Sequence, residues 1–158
     1  MQRVKPILLS GLLFLAIAFF VGMFPFLIHM SAQYVNWNPE LSHLRIPFLV
    51  LIFLVLLVSI VALVLALFLV LRGTRKNIFE SLTVRMLNLI GHSFLAGALF
   101  FGVMYIYGYA QLGKEIGLVG GYLVLALAGY FLAAILVYFI TDLFRKAVEY
   151  KEENELTV

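Results

Sequence analysis

The chain has 158 residues, of which 65% are hydrophobic and 12% charged, and its formal net charge is +3. Soluble domains average roughly 45–50% apolar and about 25% charged residues, so this composition excludes a soluble globular protein and a disordered one. Cysteine is absent, which excludes disulfides, thiolate metal ligands and thiol redox chemistry. The class that remains is an integral membrane protein.

Four segments are long and apolar enough to cross a bilayer, whose core of about 30 Å needs roughly 20 helical residues. In chain order they are Ile7–Met30, Pro47–Leu71, Met86–Tyr109 and Leu118–Ile140. Each is predicted to be helical because an open strand would leave backbone groups unpaired in lipid. The sequence therefore predicts an all-α integral membrane protein, with four transmembrane helices in an up-down bundle that forms one domain over residues 1–158.

The second segment is almost purely Leu, Val, Ile and Phe, with Ser59 as its one polar residue, and we expect it to face lipid. Pairs of small residues four positions apart favour close helix packing, and we expect them to serve contacts within the bundle. These pairs are Ala18 with Gly22, Ser93 with Gly97, and Gly129 with Ala133.

The third and fourth helices are predicted to extend beyond the membrane. Asn77-Ile78-Phe79-Glu80 has the spacing of a capping box, so the third helix is expected to begin near Ile78. In the fourth helix, Asp142 precedes Arg145 and Lys146 by three and four residues, so one helix face can pair them. A short tail over 144–158 follows and becomes acidic after Tyr150.

Basic residues indicate the orientation, because they concentrate in the cytoplasmic loops of membrane proteins. One side has nine: Arg3, Lys5, Arg72, Arg75, Lys76, Arg85, Arg145, Lys146 and Lys151. The other side has two, Arg45 and Lys114. We therefore expect a multi-pass protein of the cell membrane with both termini in the cytoplasm.

Two stretches resemble a known group. Residues 78–91, Ile-Phe-Glu-Ser-Leu-Thr-Val-Arg-Met-Leu-Asn-Leu-Ile-Gly, resemble the inner-loop signature of the YoaS-like bacterial family, a domain of unknown function. Residues 152–158, Glu-Glu-Asn-Glu-Leu-Thr-Val, resemble its closing segment, and length and four-span layout also agree. Family members often look paired with a small helix-turn-helix regulator encoded nearby. The resemblance thus implies an inner-membrane protein that holds or modulates a cytoplasmic transcription factor.

Polar residues within the spans are the first candidates for a site, because they are costly in lipid. Asn88 and His92 share one face of the third helix, with Arg85 one turn earlier. Both lie near the inner end of the span, where an interhelical hydrogen-bond clamp competes with a partner or ligand role. Asp142 is the acid nearest the apolar core, and a local ion pair with Arg145 or Lys146 competes with proton coupling.

No catalytic, cofactor or metal site is predicted. His29 and His43 flank the outer side without the further ligands that a zinc site needs, so they are interpreted as interfacial residues. Paired carboxylates and a Ser/His arrangement are missing as well, so we expect neither an enzyme nor a cofactor. The basic residues do not interleave with a nucleic-acid-binding pattern, so direct nucleic acid binding is not expected.

Most of the distinctive sequence lies on the inner side, where two interpretations compete. The basic loop can touch anionic lipid headgroups, or loop, third helix and acidic tail can form a docking surface for a protein. We favour a regulatory membrane protein that recruits a cytoplasmic partner; a small transporter or channel for an ion or amphiphile is the alternative, and a homo-oligomer stays open. The candidate interaction residues are Phe79, Glu80, Arg85, Asn88, His92, Asp142, Glu152, Glu153, Asn154, Leu156 and Thr157.

Overall fold

Four long α-helices account for nearly all of the described chain. The computed structural model describes residues 4–73 and 80–156, with side chains for 6–73 and 80–154. The helices are α1 (Val4–Trp37), α2 (Ser42–Gly73), α3 (Ser81–Leu112) and α4 (Gly117–Leu156). Two short 3-10 segments, Pro39–Leu41 and Gly113–Ile116, connect α1 to α2 and α3 to α4. The described chain is therefore all-helical, as the composition predicts.

Three stretches are long and apolar enough to cross a membrane: Pro6–Trp37, Pro39–Gly73 and Ser81–Asn154. The third stretch contains both α3 and α4. At about 1.5 Å per residue, the 32 residues of α3 extend about 48 Å, which exceeds the bilayer core. These lengths and this composition suit a helical membrane protein.

Consecutive helices run antiparallel. Phe24 of α1 packs against Phe53 of α2, with the rings tilted by 43° and their centroids 4.9 Å apart. Phe48, early in α2, contacts Tyr107, late in α3, at 5.9 Å. A Cβ built at Gly91, early in α3, would clash with Tyr138 in the middle of α4, whereas one built at Gly120, early in α4, would lie 3.3 Å from Tyr105, late in α3. The chain direction therefore alternates from each helix to the next.

Two glycines form the tight turn between α3 and α4. Gly113 and Gly117 have positive φ angles of 56° and 37°, a region that L side chains rarely adopt. The amide of Gly113 also closes the end of α3 by donating to the carbonyl of Tyr109. Only four residues separate the two helices, so the turn holds their ends side by side.

The core lies where side chains of α2, α3 and α4 meet, and α3 lies between α2 and α4 and packs against both. The buried cluster of this core is Val55, Phe101, Met104 and Leu123. The expectation that the second segment faces lipid is therefore wrong for one side of α2, which buries Leu56, Ser59 and Ala62. Because every face of α2 is apolar, its sequence does not indicate which side packs.

The first helix packs at the periphery. Within the described residues, α1 approaches α2 and the turn before it, but neither α3 nor α4. The most apolar window of α1 contains no buried residue. A closed up-down bundle would bring α1 against α4, so the structure does not support that closure. Instead, α2, α3 and α4 form a core to which α1 is attached on one side.

Two glycines of α3 admit tyrosine rings of α4. A Cβ at Gly91 would lie 2.8 Å from Cε1 of Tyr138, and one at Gly97 would clash with the ring of Tyr130. Gly97 therefore serves an intramolecular contact, as its spacing with Ser93 predicts. By contrast, Gly22 and Gly129 have nothing within 4 Å of a built Cβ. The expectation of packing from those two small pairs is wrong for these glycines.

Two helix ends differ from the predicted ones. Glu80 is extended, with φ −136° and ψ 152°, and α3 begins at Ser81, later than the expected start near Ile78. Residues Asn77–Phe79 lie outside the described part. At the other end, α4 continues to Leu156 and includes most of the predicted tail over 144–158.

Candidate functional site

Charged side chains from three helices lie at one end of the molecule, called here the charged end. Its residues are Arg72, Glu80, Arg85, Asp142, Arg145 and Lys146. The contacts of α3 with α4 fix the register, because Gly91 lies opposite Tyr138 and Gly97 opposite Tyr130. Continuing that register toward the start of α3 places residue 85 opposite about residue 144 of α4. The residues thus lie at similar heights along the helix axes.

An ion pair joins the end of α2 to the start of α3. Arg72 Nη2 donates to Oε2 of Glu80, and the two side chains are 21% and 36% exposed. The pair also suits the helix dipoles, because Arg72 lies in the last turn of α2 and Glu80 caps α3. Nε of Arg72 is buried without a partner among the described residues. The predicted role of Glu80 was to close a capping box; the structure gives it the bond to Arg72, with no side-chain cap at this N-terminus.

Asn88 and His92 lie about one and two turns after Arg85 in α3, as their spacing predicts. His92 is exposed, and its Nδ1 lies 2.7 Å from the backbone oxygen of Asn88. Since a carbonyl only accepts, Nδ1–H is the donor. The His92 ring meets α4 edge-on, with its centroid 5.6 Å from that of Tyr138. His92 thus contacts α4 through its ring, while its hydrogen bond stays within α3.

Asp142 forms the local ion pair that its spacing predicts. Its Oδ1 lies 3.4 Å from Nη1 of Arg145, and the side chains are 64% and 52% exposed. A pair this exposed contributes little to stability, about 0–1 kcal/mol. The transporter alternative predicts a cavity that reaches Asn88, His92 or Asp142. The structure shows an open groove at the opposite end, along Gly117, Gly121 and Leu125 of α4.

The last two turns of α4 carry the acidic residues of the predicted tail. Glu149, Glu152, Glu153 and Asn154 are exposed on a continuous helix. Continuing the register given above places about residue 148 of α4 opposite Ser81, the first residue of α3, so α4 extends beyond the start of α3. Of the other predicted interaction residues, Phe79, Thr157 and the side chain of Leu156 lie outside the described part.

One polar contact in the core escaped the sequence analysis. Ser59 of α2 donates to the carbonyl of Val55 at 2.7 Å, and its Oγ lies 2.6 Å from the hydroxyl of Tyr130 in α4. Because Ser59 donates its one hydroxyl proton to the carbonyl of Val55, the Tyr130 hydroxyl is the donor to Ser59. Ser59 is the one polar residue of the second apolar segment, but the sequence does not indicate which residue it contacts.

The histidines at the opposite end have local partners. His29 Nε2 lies 3.1 Å from Gln33 Nε2, and His43 donates from Nδ1 to the carbonyl of Glu40 at 3.0 Å. Arg45 links the two helices here by donating to Oγ of Ser31 at 3.3 Å. Within the described ranges, no three His, Asp or Glu side chains are grouped so that they could hold a metal ion.

The fold and the charged end together define a helical protein whose long apolar segments suit a membrane. Residues 29–158 match the family described as a protein of unknown function (DUF2975), and the chain belongs to that family. The match leaves out most of α1, the helix at the periphery of the described core. No curated protein and no solved structure matches the chain.

Proposed function

We propose that the chain is a non-catalytic regulatory membrane protein that recruits or modulates a cytoplasmic partner at its charged end. In this proposal it crosses the membrane four times, once with each of α1 to α4, and both termini are cytoplasmic. The alternating helix directions support four crossings. The nine basic residues on one side against two on the other support the orientation.

The projection of α4 beyond α3 is the observation that most favours this function. Its last eight residues, 149–156, would extend about 12 Å past the start of α3. Glu149, Glu152 and Glu153 are exposed there. In this proposal the exposed side chains of this helix end, outside the membrane, are available to a soluble protein.

The charge of this projection favours a basic partner. The last turn of α4 contains no basic residue, while glutamates approach the negative end of the helix dipole. Such an arrangement is unfavourable by about 0.3–1 kcal/mol per charge, and a basic surface would relieve it. The resemblance to the YoaS-like group suggests a small DNA-binding regulator as this partner.

Affinity purification of the tagged full chain from its native membrane tests the proposal. We expect one cytoplasmic protein to be recovered with the intact chain and lost after truncation of Lys151–Val158. The triple variant E149Q/E152Q/E153Q should weaken recovery at least tenfold, because it removes the charges but keeps the helix. A matched control is E40Q/E115Q, which neutralises exposed acids at the opposite end.

Two outcomes would contradict the proposal. Recovery of the same partner from the triple variant would remove the acidic projection from the recognition surface. Recovery of no protein from the intact chain, with a crosslinker applied before solubilisation, would leave recruitment without support.

A further inference from the structure

Two polar side chains meet in the half of the α3–α4 interface that is nearer the charged end. The ring of His92 in α3 meets that of Tyr138 in α4 edge-on, with their centroids 5.6 Å apart. The Tyr138 ring lies over Gly91, where a built Cβ would be 2.8 Å from its Cε1 atom. Packing therefore brings these two side chains together from neighbouring helices.

Each of these side chains leaves one polar atom without a partner. His92 donates from Nδ1 to the carbonyl of Asn88, so Nε2 of the neutral ring is an acceptor to which no described residue donates. The hydroxyl of Tyr138 likewise forms no hydrogen bond within the described ranges, and its oxygen is not buried. Tyr130, which also packs on a glycine of α3, donates its hydroxyl proton to Ser59 instead. An open acceptor and an open hydroxyl therefore lie on adjacent rings.

Both residues lie at a depth where polar partners are few. His92 follows Arg85 by seven residues, or about 10 Å along the helix axis, and Tyr138 precedes Asp142 by four, or about 6 Å. In the proposed crossing this is the inner leaflet, where an unsatisfied polar group costs free energy. The esters of ordinary phospholipids offer acceptors to Tyr138 but no donor to His92. A hydroxyl group satisfies both residues, because it donates and accepts.

Exposed apolar side chains continue from the two polar residues toward the middle of the protein. Leu95 and Leu99 follow His92 by about one and two turns and are 40% and 63% exposed. Ile135 precedes Tyr138 by about one turn and is 49% exposed. A ligand whose hydroxyl lies at His92 and Tyr138 therefore has apolar surface along which its chains can lie.

We propose that His92 and Tyr138 bind the free hydroxyl group of a neutral lipid of the diacylglycerol type, whose acyl chains lie along Leu95 and Leu99. The lipid hydroxyl donates to Nε2 of His92 and accepts from the hydroxyl of Tyr138. A diacyl phospholipid lacks this group, because its phosphate is esterified at the same position. The site rests on the proposed crossing of the membrane by α3 and α4, but it does not depend on the protein partner.

Lipid retention by the full-length protein in detergent tests this site. Equal amounts of dioleoylglycerol and its methyl ether are added, the protein is purified again, and the retained lipids are quantified by mass spectrometry. The ether keeps the acceptor oxygen and loses only the proton that would be donated to His92. We therefore expect dioleoylglycerol to be retained about fivefold better, the ratio that corresponds to one hydrogen bond of about 1 kcal/mol.

Two variants assign the two hydrogen bonds. His92→Phe keeps a ring beside Tyr138 but removes the acceptor, so the ratio of the two lipids should fall to about one. Tyr138→Phe removes a donor that serves both lipids, so the retention of each should fall about fivefold while their ratio stays the same. Tyr130→Phe is the matched control, because its hydroxyl is engaged by Ser59, and it should change neither quantity.

Three results would overturn the lipid site: equal retention of the two lipids by the unsubstituted chain, an unchanged ratio in His92→Phe, or unchanged retention in Tyr138→Phe. The first result needs no variant, so a failure of a variant to fold cannot obscure it. E149Q/E152Q/E153Q should keep both the retention and the ratio, which distinguishes this site from the one for a protein partner.

Discussion

At the scale of single residues, the packing of α3 against α4 depends on where a side chain is absent. Gly97 leaves the space that the ring of Tyr130 fills, and Tyr130 also contacts Phe94 and Phe101 edge-on. A tyrosine ring buries a large apolar area, and a glycine opposite lets two helices approach closely. A substitution at Gly97 therefore tests how tightly α3 and α4 pack against each other.

We predict that Gly97→Ala lowers the free energy of unfolding by about 1–3 kcal/mol, because the added methyl group overpacks the Tyr130 ring. Gly121→Ala is the matched control, since nothing lies within 4 Å of its built Cβ. It should be neutral, or stabilising by up to about 1 kcal/mol from helix propensity. Unfolding in mixed micelles measures both, and equal effects at the two positions would refute the packing argument.

The hydroxyl pair in the core gives a second prediction at this scale. Tyr130→Phe and Ser59→Ala each remove the contact between α2 and α4, and we expect a coupling energy of about 0.6 kcal/mol in a double-mutant cycle. The value is small because an unfolded chain in the membrane also finds partners for its hydroxyl groups. Strictly additive single effects would show that the 2.6 Å contact contributes nothing specific.

At the scale of elements, the ion pair of Arg72 and Glu80 connects two helices at their ends. The sign of each charge is opposite to that of the helix-dipole end on which it lies. The ion pair and the two helix dipoles therefore both stabilise the native arrangement. A reversed pair would keep the contribution of the ion pair and lose that of the helix dipoles. Charge reversal can therefore separate them.

We predict that R72E and E80R each lower the free energy of unfolding by about 1–2 kcal/mol, between the effects typical of exposed and of buried pairs. The double variant R72E/E80R should recover part of the loss. The ion pair forms again, but each charge now has the same sign as the helix-dipole end on which it lies. Thermal unfolding in detergent at low and high salt provides the measurement. Additive losses in the double variant would mean that only the dipole contributions matter.

At the scale of the whole molecule, the alternation of helix directions makes a prediction about the membrane. Since the chain has no cysteine, single cysteines report accessibility without background. We expect Asn36→Cys and Lys114→Cys to react with an impermeant maleimide on intact cells. Ser81→Cys and Glu152→Cys should react only after permeabilisation, because the start of α3 and the end of α4 lie on the side proposed to be cytoplasmic.

All four positions are exposed, so burial does not limit the reaction. If Ser81→Cys and Lys114→Cys were labelled from the same side, α3 would not cross the membrane. If Glu152→Cys were labelled on intact cells, the projection of α4 would not be cytoplasmic and could not meet a soluble partner there.

Features that depend on neighbours along the chain could be predicted from the sequence. Helix existence follows from apolar length, because lipid forces the backbone to satisfy its own hydrogen bonds. The turn at Gly113 and Gly117 and the pair of Asp142 with Arg145 follow from local spacing. The start of α3 was missed by a few residues, because the motif at Asn77 suggested a cap, whereas Glu80 is extended and pairs with Arg72.

By itself, the sequence determined the class of protein, its helices and the segregation of charge to one end. Only the tertiary structure decided that α3 lies between α2 and α4, that α1 lies outside the core, and that Ser59 contacts Tyr130. The physical reason is that these helices are apolar on nearly every face. The sequence therefore has no periodic pattern of apolar and polar residues that would show which face is buried. Which faces meet is decided by shape, as where Gly97 admits a ring, and shape appears only when two helices are placed together.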